Sequence, residues 1–505
     1  RPAGALRGRR RPMAQWAMST SPSVPSDHLL FITGHLAEKS LARVLGALDP
    51  CPFTYDIQVP GINVAALLTT TMLKRRLRDL GGYARVIVPG RCRGDLAELS
   101  SHFGLPFERG PDELKDLPAY FGSRARARTI DTTDITLFAE LVDAPHGTVD
   151  TIVERAARYR ADGADVIDIG CLPATPFPHL EDTIAALKAA GHRVSVDSLD
   201  RRELARAIAA GADYVFSLTG RSLDLVADSP CVPVLIAEHP GDMDDLQRTI
   251  ERYAASGRPF YADPVVDPIH HGFTRSLLRY AALRDRYPDI AIMMGMGNLS
   301  ELTHTDTLGL NVLLLGVVSE LGITGILTTE VSGHCRSVVR EIDRARRVMF
   351  AAREDNMPPR HIDESLLALH DRKPFPYTTA EGAELARDVT DDNFRIQVTA
   401  DGIHVYNRHG LYSVRDPYDA FNALKVENDG AHAFYLGLEL ARAQIAWQLG
   451  KRYNQDEELA WGCVVPRAAV DTLEFAAPRS TLSARKRRDR AGDDDRSNDN
   501  DGASI

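Results

Sequence analysis

Short apolar runs alternate along the chain with stretches whose apolar residues recur at steps of three and four, the periodicities of buried strands and of helices packed on one face. Residues 28–32, 55–59 and 84–88 read as strands. A helical stripe through Leu41, Val44, Leu45 and Leu48 and a second helix over 64–80 lie between them. That alternation predicts a small α/β parallel-sheet domain over residues 27–122. From 129 to 357 the alternation repeats with greater regularity. Strands are expected at 135–141, 165–169, 193–197, 214–218, 232–237, 259–263, 289–294 and 323–328. Helices are expected at 149–160, 180–190, 201–210, 243–255, 274–286 and 307–321, with Gly163, Gly191 and Gly211 closing the first three. Eight such repeats predict an α/β fold of the (β/α)8 TIM barrel kind, whose functional groups gather at the strand C-termini.

Beyond the barrel the pattern changes. Residues 394–406 alternate on both sides of Asp401-Gly402, the signal of a β-hairpin. Residues 432–449 then read as a long helix with an apolar stripe of Phe434, Leu438, Ala441, Ile445 and Leu449. Together they predict a C-terminal α+β domain over 375–477, a packing appendage that could also serve as a lid or a homodimer contact. Residues 1–26 are expected to be a disordered N-terminal arm, its first twelve basic and read as an extension upstream of a start near Met18. The highly charged residues 478–505 are expected to be a disordered tail.

With 505 residues, 44% of them hydrophobic, the chain can bury a sizeable core. Sixty Lys and Arg against 70 Asp and Glu, a formal charge of −10, argue against tight sequence-independent nucleic-acid binding. The longest apolar stretch, around 308–318, is too short for a bilayer, so no membrane partner and a cytoplasmic location are expected. Six cysteines without a CxxC pair fit reduced thiols.

Polar residues collect where the barrel strands end: Glu140, Asp168, Asp197, Ser217, Glu238, Asp263, Asn298 and residues 328–330. So acidic a mouth favours a ligand presenting several N–H groups, or a metal, because buried carboxylates without donors are costly. Arg91 and Arg93, after the third strand of the first domain, form a weaker candidate for phosphate binding. His270, His271, His334 and Cys335 lack the spacing of a helical metal-ligand pair and are assigned to loops and caps.

The segments GADVIDIG (163–170), RVSVDS (193–198), GADYVFS (211–217), FYADPVVD (260–267) and IMMGMGN (292–298) resemble, in order and spacing, the pterin-binding barrel of dihydropteroate synthases and pterin-dependent methyltransferases. With both flanking domains, the whole chain resembles the dihydropteroate synthase-related proteins of tetrahydromethanopterin-type C1 metabolism. The resemblance implies a pterin clamp. Asp197 and Asp263 would accept the paired N–H groups of the pyrimidine edge and Asn298 would meet the ring carbonyl, with Ser217 and Asp168 beside them. It also implies Mg²⁺ held at Glu140, with Asp168 as a further candidate ligand.

The sequence departs from the synthases in one consistent respect. Where they carry Arg-Lys after strand seven and Arg-x-His after strand eight, this chain reads Gly297-Asn298-Leu299 and Leu327-Thr328-Thr329, and the second loop lacks their Ser-Thr-Arg. Two functions remain open. One joins a 6-hydroxymethyl-dihydropterin diphosphate to an arylamine, p-aminobenzoate or a ribosyl phosphate derivative. The other binds a finished pterin, for methyl transfer or as a non-catalytic carrier.

Overall fold

The computed structural model describes residues 27–48, 51–78, 80–112, 114–122, 130–360 and 362–465. The expected N-terminal arm and C-terminal tail lie outside them. The chain divides into two compact units between Arg124 and Ala125. Among the described residues no helix is long and apolar enough to cross a membrane.

In the first unit β1 (His28–Ile32), β2 (Thr54–Gln58), β3 (Arg85–Val88) and β4 (Phe107–Arg109) form a parallel sheet in the order β2-β1-β3-β4. Strand β1 is buried on both faces: Leu30 and Ile32 enter one core, Leu29 and Phe31 the other. Its sequence is therefore a continuous apolar run rather than an alternation. The helix expected over 64–80 is instead a turn at Ala65–Leu67 followed by a helix at Thr70–Arg76. The backbone is drawn out of helical geometry there to pair with the Arg93 loop, through Thr70 N to Arg93 O (2.8 Å) and Arg93 N to Leu68 O (3.0 Å). Thr69 then caps the second helix, its Oγ1 accepting from Met72 N. Strand β4, three residues long, is too short to register as a pattern.

The second unit holds a closed barrel of eight parallel strands: β5 (Thr136–Leu141), β6 (Val166–Gly170), β7 (Arg193–Asp197), β8 (Tyr214–Leu218), β9 (Val232–Leu235), β10 (Tyr261–Ala262), β11 (Ala291–Gly295) and β12 (Gly325–Thr329). This is a (β/α)8 TIM barrel. Parity along each strand decides what faces where. Leu137, Ala139 and Leu141 of β5 pack outward against the helices, as do Ile167 and Ile169 of β6 and Val194 and Val196 of β7. Phe138, Val166, Phe216, Val234 and Met293 fill the interior, where the Phe138 ring meets Tyr214, Phe216 and Tyr261 edge-on at 5.1–6.0 Å. Gly325 admits this packing, since a Cβ there would lie 2.8 Å from Tyr261 Cε1.

The strand expected over 259–263 shrinks to Tyr261–Ala262, because prolines on both sides, Pro259 and Pro264, carry no N–H for the ladder. A single 3-10 turn, Leu223–Val226, stands where a helix would follow β8. A last helix, Val338–Glu354, closes the barrel.

In the C-terminal region β13 (Arg395–Thr399), β14 (Gly402–Asn407) and β15 (Gly410–Val414) form an antiparallel sheet. The Asp401-Gly402 hairpin is present, with Thr399 opposite Gly402. The helix Gly430–Leu449 packs on the sheet, but not by the expected stripe. Phe434 is 77% exposed and Leu438 and Ile445 each 39%, whereas His432, Leu436, Leu440, Ala443 and Ala446 are buried. Alanines at 443 and 446 let the helix approach the sheet closely. Glu439 on the same face is satisfied by Tyr453 Oη (2.7 Å) and Arg442 (2.8 Å).

Candidate functional site at the barrel mouth

Inward-facing positions near the C-terminal ends of three consecutive strands bring three carboxylates together. Glu140 on β5 lies opposite Asp168 on β6, Asp168 opposite Ser195 on β7, and Asp197 is the next inward residue of β7. One oxygen from each of Glu140, Asp168 and Asp197 lies within 4.8 Å of the other two. Gly170 leaves the room this requires, since a Cβ on it would stand 2.7 Å from Glu140 Oε1.

Asp168 is fully buried, and neither of its carboxylate oxygens makes a well-formed hydrogen bond, although the Ser195 hydroxyl is near enough to favour its charged form. Burial first, then the charges of Glu140 and Asp197, hold its pKa well above the usual carboxylate range. Burial and the Asp197 charge push Glu140 up to about 7. Asp197 is raised by burial and lowered by Ser217, whose Oγ donates to Oδ1 at 2.7 Å. Ser217 reaches it from a left-handed backbone conformation (φ 62°) where β8 slips register against β9.

Beside the trio opens a cavity of about 650 Å³, lined by Glu140, Asp197, Ser198, Glu203 and Ser217 together with the loop 171–176. Among the described residues lining it there is no Lys or Arg. Burial also pushes up the thiol of Cys171, in that loop.

Asp263 follows β10 and is 9% exposed. Its Oδ1 accepts from Tyr280 Oη (2.6 Å) and Val265 N (2.7 Å), leaving Oδ2 without a protein partner among the described residues. Burial raises its pKa to about 6 against the lowering effect of those donors, with the charge of Asp197 adding to the rise. Asn298, exposed on the turn of helix Gly297–Ser300, donates from Nδ2 to Val266 O at 3.0 Å, which ties the loop after β11 to the loop carrying Asp263.

The expected groups thus converge in part. Glu140, Asp168, Asp197 and Ser217 make one cluster, and Asp263 with Asn298 flanks it, close enough for the Asp263 and Asp197 charges to interact. Glu238 stands apart from the cluster, 3.2 Å from Arg221. Glu330 is buried at the mouth, accepting from Val339 N at 3.1 Å. Arg91 and Arg93 belong to the other unit, in the loop between β3 and helix Leu96–Phe103.

Sequence reasoning missed Tyr280, which lies on a helix face that reads as ordinary core, and Gly170, whose role is set by a side chain on the neighbouring strand. It also missed Arg279, which holds the Asp263 loop through Pro264 O (3.2 Å), Val265 O (2.6 Å) and Asp267 (2.9 Å).

A family of unknown function, DUF6513, matches residues 27–112. An uncharacterized protein of Methanocaldococcus jannaschii is 25% identical over 524 aligned residues, covering 85% of this chain and 98% of that protein. Among solved structures, the Yersinia pestis dihydropteroate synthase in a sulfonamide drug complex is 18% identical, with 44% of this chain and 94% of that one covered and a TM-score of 0.36. The Burkholderia cenocepacia dihydropteroate synthase complexed with 7,8-dihydropteroate is 20% identical over 44% of this chain and 92% of that one, with a TM-score of 0.35.

Proposed function

We propose that the barrel mouth binds a reduced pterin and that the protein is a transferase of the dihydropteroate synthase type, joining a 6-hydroxymethyl-dihydropterin diphosphate to an arylamine. The observation that carries this reading is the state of Asp263. One oxygen is fixed by two protein donors and the other has none among the described residues, in a residue only 9% exposed, so the carboxylate is pre-oriented with one acceptor left for a ligand N–H. A pyrimidine edge, with an exocyclic amine beside a ring N–H, supplies such donors, and the Asn298 amide stands at the same loop to meet the ring carbonyl. Asp197, oriented by Ser217, faces the ligand from β7.

In the reaction the amine nitrogen attacks the pterin methylene, the C–O bond to diphosphate breaks, and the amine sheds one proton. The amine is its own nucleophile. The side chains therefore act by holding the two reactants in line and by excluding water. The resemblance of the whole chain, with both flanking domains, supports extending the same chemistry to tetrahydromethanopterin-type cofactor synthesis, with a ribosyl phosphate arylamine as the co-substrate.

One observation favours a second reading. Among the described residues the cavity wall presents carboxylates and no basic side chain to a diphosphate, which suits a finished pterin cofactor bound for methyl transfer or carriage. Incubation with Mg²⁺, dihydropterin diphosphate and either p-aminobenzoate or its ribosyl phosphate, with diphosphate release followed, separates the two. Release with one of the amines is expected. Tight binding of a reduced pterin without release would transfer support to the second reading, and neither result would remove both.

A further inference from the structure

We infer that the outer face of the helix Gly430–Leu449 is an interface with a second copy of this chain, the two helices lying antiparallel across a twofold axis. The first ground is what that face lacks. From Ala431 to Ile445 its exposed positions are Ala431, Phe434, Gly437, Leu438, Ala441 and Ile445, and none carries a charge. The charged residues of the helix, Glu439 and Arg442, are turned the other way and pair with each other at 2.8 Å. A helix facing water ordinarily carries its charges on the water side.

The second ground is extent. The helix Pro417–Leu424, which packs beside it, adds the exposed rings of Tyr418 and Phe421. Near the other end, Ile445 lines a cleft of about 520 Å³ with Leu367, Trp461 and Val465. The face and its flanks expose on the order of 700 Å² of apolar side chain, more than the few hundred Å² usual on a monomer and close to the roughly 800 Å² per partner that a stable dimer buries.

The third ground selects the occupant. Large and small side chains are placed symmetrically about the point between residues 439 and 440. Two antiparallel copies would set Phe434 against the partner's Ile445 and Leu438 against the partner's Ala441, each contact occurring twice as a twofold axis requires. Gly437 and Ala441 let the helices approach, and a Cβ on Gly437 would meet nothing within 4 Å in its own chain. A face without charge offers nothing to steer or select a different protein, whereas homodimer interfaces are the more apolar class.

The test reads the mass of the full-length chain by sedimentation equilibrium at micromolar concentration. The mass of two chains is expected, with Phe434→Glu and Leu438→Glu each shifting it to one chain. Circular dichroism and cooperative melting show that the variants are folded, as exposed positions allow. Differently tagged copies carrying Leu438→Cys and Ala441→Cys, co-expressed and oxidised, should form a disulfide between chains. A wild type with the mass of one chain, folded Glu variants that keep the wild-type mass, or the absence of that cross-link overturns the inference.

Discussion

Asp263 is poised between two states because burial opposes its charge while Tyr280 and Val265 N favour it. A protonated carboxyl has lost the acceptor that a ligand N–H needs. Reduced-pterin affinity should therefore hold above pH 7 and fall as pH drops through about 6, by about tenfold per unit below it. Calorimetry across pH 5–8 checks this, and a flat profile contradicts it. Removing the Tyr280 hydroxyl takes away a donor to the charged form, so Tyr280→Phe should move the midpoint upward and cost about 1–2 kcal/mol of stability. Of this pair only the acid was legible in the sequence, as an Asp-Pro at a strand end. Its donor lies 17 residues later on a helix, where a tyrosine at an apolar position reads as core.

At the scale of elements, the floor of the barrel depends on the helix Val338–Glu354. Arg346 is 1% exposed and bonds Asp165, Asp343 and the carbonyls of Ile135 and Gly163. Truncation to Ala leaves the carbonyls of Ile135 and Gly163 without this donor and removes one cation from Asp165 and Asp343, which keep Leu137 N and Arg347, so Arg346→Ala should lose about 3 kcal/mol in denaturant unfolding. A loss under about 1 kcal/mol would show the network to be dispensable. In the helix Gly430–Leu449 the packing face makes opposite predictions for two leucines. Leu440→Ala should cost about 2–5 kcal/mol and the 39%-exposed Leu438→Ala about 1 kcal/mol or less. That helix carries two apolar stripes of similar strength. Periodicity alone selects the larger side chains, whereas the sheet selects the face whose alanines permit close approach and whose polar members find partners.

For the molecule as a whole, closure of the barrel was legible because the strand and helix repeats are regular and each outward row is apolar. The meeting of Glu140, Asp168 and Asp197 was legible only as three separate strand ends. Their convergence depends on inward parity across neighbouring strands and on the space left by Gly170.

Retained protons also shape the stability of the whole chain. Burial raises Glu330 to about 7 and Asp263 to about 6. The native state therefore binds protons that the unfolded state has released, and this contribution to stability is present below about pH 4 and lost as pH rises toward 7. Glu330→Gln should flatten that loss by on the order of 2–3 kcal/mol between pH 4.5 and 7.5, read from urea midpoints. An unchanged slope would contradict the assignment.

The central claim concerns the ligand. Titration of 6-hydroxymethyl-7,8-dihydropterin into the full chain at pH 7.5 tests it most directly. One site per chain is expected, with Asp263→Asn weakening it by at least ~1.5 kcal/mol, because an amide donor would then face ligand donors. No saturable heat from the folded wild type, or equal affinity in the variant, would contradict the account.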